Sequence, residues 1–94
     1  MARYVVLIKF TDKGAGQIKE STARAHNFDK AAAKAGVKIE AQYWTLGAYD
    51  GLLVISADQE KKALHCLMEL ASYGAVRTEA LQAFSDAEFD AMLG

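Results

Sequence analysis

The sequence predicts an α+β fold in which two strand-helix-strand units meet at a hairpin, giving the order βαββαβ plus a short helical tail. Three observations predict it. RYVVLIKF and GLLVISA are short apolar blocks rich in β-branched side chains, the composition of strands covered on both faces. Apolar residues recur at helical spacing after each block, with glycines where the helices should stop. The five residues Gly47 to Gly51 join the second and third strand patterns, the length of a hairpin connection.

The first strand runs from residue 3 to 10 and is ended by Thr11, Asp12, Lys13 and Gly14. From Gly16 to Ala35, the residues Ile18, Thr22, Ala25, Phe28, Ala32 and Ala35 follow one helical face, with Gly36 placed for a left-handed C-terminal cap. Ser21 is expected to cap the longer part of this helix after an irregular turn through residues 15 to 20. VKIEAQYWTL, residues 37 to 46, alternates: Val37, Ile39, Ala41, Tyr43 and Thr45 take one side of a strand, and Lys38, Glu40, Gln42, Trp44 and Leu46 the other. GLLVISA is the third strand. Residues 58 to 73 put Leu64, Leu67, Met68 and Ala71 on a buried helical stripe, and Gly74 follows as a stop. AVRTEALQAF, residues 75 to 84, has strand character again. Ser85 with Glu88 three residues later is the capping box of a final short helix.

A hairpin makes its strands antiparallel, whereas each strand-helix-strand crossover is right-handed and makes its strands parallel. Both together describe the ferredoxin-like arrangement, a four-stranded antiparallel sheet with both long helices on one face. The other face is apolar too, because the strands carry apolar residues at both parities: Tyr4, Val6, Ile8 and Phe10 against Val5 and Leu7, and Leu52 and Val54 against Leu53 and Ile55. A soluble monomer does not leave such a patch wet. The face is therefore expected to pack against the same face of a second copy, in a homodimer or a larger homo-oligomer.

At 94 residues the chain, residues 1 to 94, is read as a single domain with a modest core. Its net charge of -1 builds in no attraction to phosphate backbones or anionic lipid, so nucleic acid is not an expected partner. The longest apolar runs, Tyr4 to Ile8 and Leu52 to Ile55, fall far below the roughly 20 residues that cross a bilayer, and no membrane association is expected. Cys66 is the only cysteine, which excludes an intramolecular disulfide and fits a reducing compartment, the cytoplasm.

His26 and His65 lie on different predicted helices, and with one cysteine they offer no metal-ligand spacing. No metal or other cofactor is expected. Cys66 reads as a small buried hydrophobe or an inert thiol, and His65 as a solvent-facing residue. Gly14-Ala15-Gly16 is too short a glycine loop to cradle phosphate, and there is no Gly-x-Ser-x-Gly elbow. Better candidates surround the hairpin. Tyr43, Thr45 and Tyr49 share one direction if the period of two continues, with Gly47 a gap between them; Trp44 faces the opposite way. Asp50-Gly51 is a strong tight-turn dipeptide, so Tyr49 and Asp50 read first as a hairpin corner and second as an acid/base pair. Arg77 and Glu79 share a face of the last strand, as a buried salt bridge, an interfacial contact or an anion-orienting arginine with a nearby base. His26 flanks the helix stripe and completes the candidate ligand-binding set of Tyr43, Trp44, Tyr49, Asp50, Arg77, Glu79 and His26.

Tyr43-Trp44-Thr45-Leu46-Gly47, one residue, then Tyr49-Asp50 resembles the signature of the GYD domain family. Val76-Arg77-Thr78-Glu79 followed by Ala83-Phe84 resembles its last strand, and Tyr4 to Phe10 with Thr11-Asp12 and Ile18-Lys19-Glu20 its opening. The likeness spans nearly the whole chain and implies a ferredoxin-like fold of the dimeric α+β barrel type. It implies no particular substrate, cofactor or catalytic set. One departure stands out: Thr22 and Asp58 occupy places near the helix starts where that family is expected to carry proline.

Three functions compete at this level. The first is a homo-oligomeric binding module holding a small planar or anionic metabolite in a cleft near the sheet. The second is a cofactor-independent enzyme, of oxygenase or isomerase type, on a small aromatic or enolisable substrate, with His26, Tyr49, Asp50 or Glu79 as acid or base. The third is a purely structural oligomer. The choice between turnover and binding stays open in the sequence.

Overall fold

A computed structural model describes residues 1–94. Strand β1 (Ala2–Phe10) is followed by a single turn α1 (Asp12–Gly16), a 3-10 turn (Ile18–Glu20) and helix α2 (Ser21–Lys34). Then come β2 (Val37–Trp44), β3 (Gly51–Ala57), α3 (Glu60–Ser72), β4 (Val76–Gln82) and α4 (Asp86–Leu93). The sheet order is β2-β3-β1-β4 with every neighbouring pair antiparallel, which is the ferredoxin-like topology.

Strand alternation decides what the helices cover. Tyr4, Val6, Leu53, Ile55, Ala57 and Val37 face Phe28 and Ala32 of α2 and Ala63, Cys66 and Leu67 of α3 in one core. Val6, Leu53 and Ile55 are essentially inaccessible, and burying side chains of this size stabilises by roughly 1.5–3 kcal/mol each. The alternate residues Val5, Leu7, Leu52 and Val54 lie on the open face and stay half-buried. Around them Leu81 and Tyr43 are largely exposed.

The register contains one irregularity that the period-two reading lacks. Ile39 pairs with Ile55, but Ala41 pairs with Val54, so Glu40 is an extra residue in β2. Such a bulge reverses the faces of everything after it. Val37 and Ile39 therefore face the helices, Ala41 and Tyr43 share the open face with Val54 and Leu52, and Gln42 and Trp44 turn toward the helix side. Tyr43 and Trp44 do point oppositely, but Tyr43 no longer shares a side with Val37 and Ile39.

Two helix readings also shift. On α3 the buried stripe is Ala63, Cys66 and Leu67 with Leu70 partly covered, not Leu64, Leu67, Met68 and Ala71. Both sets have the i, i+3, i+4, i+7 spacing; the one starting at Ala63 wins because small Ala63 and Cys66 let the helix lie close to the sheet. Leu64 and Met68 are left on the solvent side. Ser21 does not cap α2 but is its first residue, after Glu20, whose side chain makes no capping bond. Gly36 and Gly74 follow α2 and α3 at φ +81 and +78, the left-handed conformation in which glycine pays no Cβ penalty.

At the C-terminus, Ser85 and Glu88 form the capping box of α4. Arg3 ties this helix to the sheet: its Nη1 lies 3.0 Å from Glu88 Oε1 and its Nε 3.5 Å from Glu40 Oε2 at the bulge. No residue of α4 is buried, and Phe89, Met92 and Leu93 are exposed. The radius of gyration is 13.9 Å, against about 12 Å for a compact chain of this length. The helix projects as an arm.

Candidate functional site

The hairpin between β2 and β3 is fixed by its own polar groups. Thr45 N–H donates to the Asp50 carbonyl at 3.0 Å, and the Thr45 hydroxyl donates to the Tyr49 carbonyl at 2.6 Å. Asp50 N–H donates to the Ile8 carbonyl, and Asp50 Oδ2 accepts from Phe10 N–H, each at 2.8 Å. The Asp50 side chain thus extends the β1–β3 ladder by one rung, giving a backbone donor the partner it lacks at the strand's end. Its structural role is explicit.

Tyr49 lies on the open face. Its hydroxyl donates to Glu79 Oε2 at 2.7 Å, and that hydrogen bond and the adjacent negative charge raise the phenol above its ordinary value. Lys9 Nζ stands 5.9 Å from the Tyr49 ring centroid, a cation-π contact. Glu79 pairs across the ladder with Leu7 and Arg77 with Lys9, so Arg77 and Glu79 belong to the open face. They form no salt bridge with each other. A shallow hollow of about 280 Å³ runs beside Tyr49, floored by Leu7 and Leu52.

A deeper cavity of about 310 Å³ opens on the other side of the sheet, beneath α2. Phe10, Phe28, Trp44, Leu53, Leu70 and Val76 make it mainly apolar, and Ser21, Arg24, Asn27, Gln42 and Asp50 add polar groups. It exists because α2 presents alanine and serine to the sheet at this end, and because the bulge turns Gln42 and Trp44 inward. Arg24 is four residues before Phe28 and so stands on the same helical face. Its Nη1 donates to Gln17 Oε1 at 3.3 Å, while Nη2 is buried with no hydrogen-bond partner.

The predicted residues are therefore divided. Trp44 and Asp50 line the cavity and Tyr43 borders it from the sheet edge; Tyr49, Arg77 and Glu79 gather on the opposite face; His26 is exposed and lines neither hollow. Arg24 and Gln42 were not singled out in the sequence. The signal for Arg24 was present, since a cation four residues before Phe28 interrupts an otherwise apolar stripe. Cys66 is buried, and burial first, with Glu69 second, pushes its thiol up, leaving it protonated and inert. Gly14, read as too short a phosphate loop, lies in α1, where a Cβ would collide with the Ala75 carbonyl.

The GYD domain matches residues 4–93. The chain belongs to the GYD domain family. Its relative from Thermus thermophilus, described as a glutamine synthetase and cystathionine beta-lyase binding protein, is 32% identical over 94 residues, covering 99% of each chain. A crystal structure of a protein from the same organism covers 90% of this chain and 95% of its own at a TM-score of 0.58 and 22% identity. That likeness bears on the fold alone. Within this GYD chain no helix is long and apolar enough to cross a membrane, and no group of three or more His, Cys, Asp or Glu residues is placed to hold a metal ion.

Proposed function

We propose that this GYD protein is a self-associating accessory module that docks on an enzyme of amino-acid metabolism and holds a small planar or anionic metabolite in the cavity beneath α2. The observation that carries the docking is the end-to-end relation to a protein named for binding glutamine synthetase and cystathionine beta-lyase. Self-association is supported by the open face, where Val5, Leu7, Leu52 and Val54 stay half-buried beside exposed Leu81 and Tyr43, more apolar surface than a small monomer keeps wet. A second copy packed there would make the dimeric α+β barrel. The projecting α4, with Phe89 and Met92 outward, supplies a further apolar contact surface. The cytoplasm is the compartment in which such enzymes and a lone cysteine are both at home.

Binding has more support than turnover. Proton transfer needs an acid or base within reach of the substrate, and the candidate groups do not converge on the cavity. Tyr49 and Glu79 bond to each other across the sheet from it, Asp50 is engaged by a backbone N–H, and His26 is outside. A scaffold with no ligand leaves a cavity of this size unexplained.

The docking is tested by mixing the purified chain with purified glutamine synthetase and cystathionine beta-lyase from its own source in sedimentation velocity. Co-migration with either enzyme is the expected result; separate boundaries in both mixtures overturn the docking.

A further inference from the structure

We infer that two copies pack open face to open face with their strands reversed, so that α4 of each lies over Lys9 and Arg77 of the other as an acidic arm. This rests on the reading of the open face as the surface through which copies associate, and adds how they are oriented.

Two uncompensated like-charge pairs of opposite sign carry it. Lys9 and Arg77 stand directly opposite each other on the β1–β4 ladder, and both are exposed. Like charges placed so destabilise a sheet. Neither forms a salt bridge; Lys9 stands over the Tyr49 ring, and Glu79 on the same face is engaged by the Tyr49 hydroxyl. On α4, Asp86 and Asp90 are exposed carboxylates four residues apart, which costs a helix stability. No cation of the chain forms a salt bridge with either. The acidic pair and the basic pair cannot meet within one chain. Arg3 marks the α4 end of the face and Lys9 the other end, six residues along β1, or about 20 Å.

The arm is turned the right way for a second copy. Asp86, Phe89, Asp90 and Leu93 fall at the i, i+3, i+4, i+7 positions of one exposed stripe. Glu88 lies about 160° round the helix from both aspartates, and it is Glu88 that Arg3 holds at the sheet. The anchored side therefore faces its own sheet, and the stripe faces away from it.

Two-fold symmetry leaves two ways to lay one open face on another. With the axis along the strands, Lys9 and Arg77 of one copy come to the Lys9 and Arg77 end of the other, and α4 comes to α4. Like charge meets like, at a cost of several kcal/mol. With the axis across the strands, each α4 comes over the other copy's basic pair, and the attraction is made twice. Arg3 does not upset this, being already offset by Glu40 and Glu88. The hollow floored by Leu7 and Leu52 lies at that basic end, giving Phe89 and Leu93 apolar surface to cover.

The test reverses each pair in the full chain: Lys9→Glu with Arg77→Glu in one variant, Asp86→Lys with Asp90→Lys in another, followed by sedimentation velocity at low ionic strength. Each variant alone should self-associate about tenfold more weakly or worse. An equimolar mixture of the two, and one chain carrying all four substitutions, should return to within about threefold of wild type, because each arm again meets the opposite charge. Wild-type association by either variant alone overturns the placement of α4 and leaves the open face an association surface, as does a loss that neither the mixture nor the fourfold variant recovers. A wild-type chain that stays monomeric overturns both. Should circular dichroism show a reversed chain unfolded, Arg77→Cys with Asp90→Cys decides. These positions are too far apart in one chain to be bridged, and native Cys66 is buried. A disulfide-linked dimer on a non-reducing gel is then expected, and monomer alone overturns the placement.

Discussion

The two faces of this sheet are made by the same strands in alternation, so they can be compared residue against neighbour. Ile55 and Val54 are adjacent and equally apolar, yet Ile55 is sealed under the helices and Val54 is half-open. The polar groups differ as well. The open face carries Arg3 with Glu40 and Glu88 at one end and Tyr49 with Glu79 near the other, where water screens them. The covered face holds few such groups, and there an unpaired atom such as Arg24 Nη2 is conspicuous. Burial thus leaves one arginine nitrogen without a partner, while Arg77 beside Lys9 on the open face remains a surface charge.

The largest loss comes from cutting into the covered face. Ile55→Ala should cost about 2–5 kcal/mol, through lost burial and the void left behind, read as a lower urea midpoint. The matching cut on the open face, Val54→Lys, should leave the monomer's stability within about 1 kcal/mol but weaken the proposed self-association about a hundredfold, or about 2.7 kcal/mol. Sedimentation at low micromolar concentration checks it; unchanged association would mean that another surface joins the copies. A smaller effect belongs to the hinge between the faces. Asp50→Ala should cost about 1–2 kcal/mol by leaving Phe10 N–H unpaired, and Asp50→Asn, which keeps an acceptor, less than half as much, both read by thermal melts.

The smallest effect concerns pH and the end of the open face. Glu88 is held below the ordinary carboxylate range by the Ser85 backbone and side-chain bonds, then by Arg3; Glu40 by the Ser56 hydroxyl and Arg3. Groups with depressed folded values stabilise above the unfolded value and lose that contribution as pH falls through the folded one. Amide protection in α4, taken relative to the intrinsic exchange rate at each pH, should therefore fall as pH drops below about 4.3, the usual glutamate value, while the core strands stay protected. Ser85→Ala should move that onset to higher pH. Identical onsets in both chains would show that the capping box does not hold α4.

The fold was legible because it is written in periodicity: both crossovers, the hairpin and the Ser85 capping box need only local spacing. The apolar parity of β1 and β3 likewise exposed the uncovered face. The site was less legible, for two physical reasons. The bulge at Glu40 has no local signature, since nothing in VKIEAQYW marks which residue leaves the ladder, and it alone decides that Gln42 and Trp44 reach the cavity. On α3 two stripes with the same spacing competed, and only docking against the sheet chose Ala63 and Cys66 over Leu64 and Met68. Arg24 was readable from its distance to Phe28, but its unpaired nitrogen is a property of three dimensions.

The surplus residue in β2 has a consequence for the chemistry of the cavity. Were Glu40 to take a rung of its own, every side chain beyond it in β2 would turn to the other face, and the phenol of Tyr43 would replace the indole of Trp44 opposite Gly51. A slip of one position would exchange the aromatic lining without altering a single amino acid.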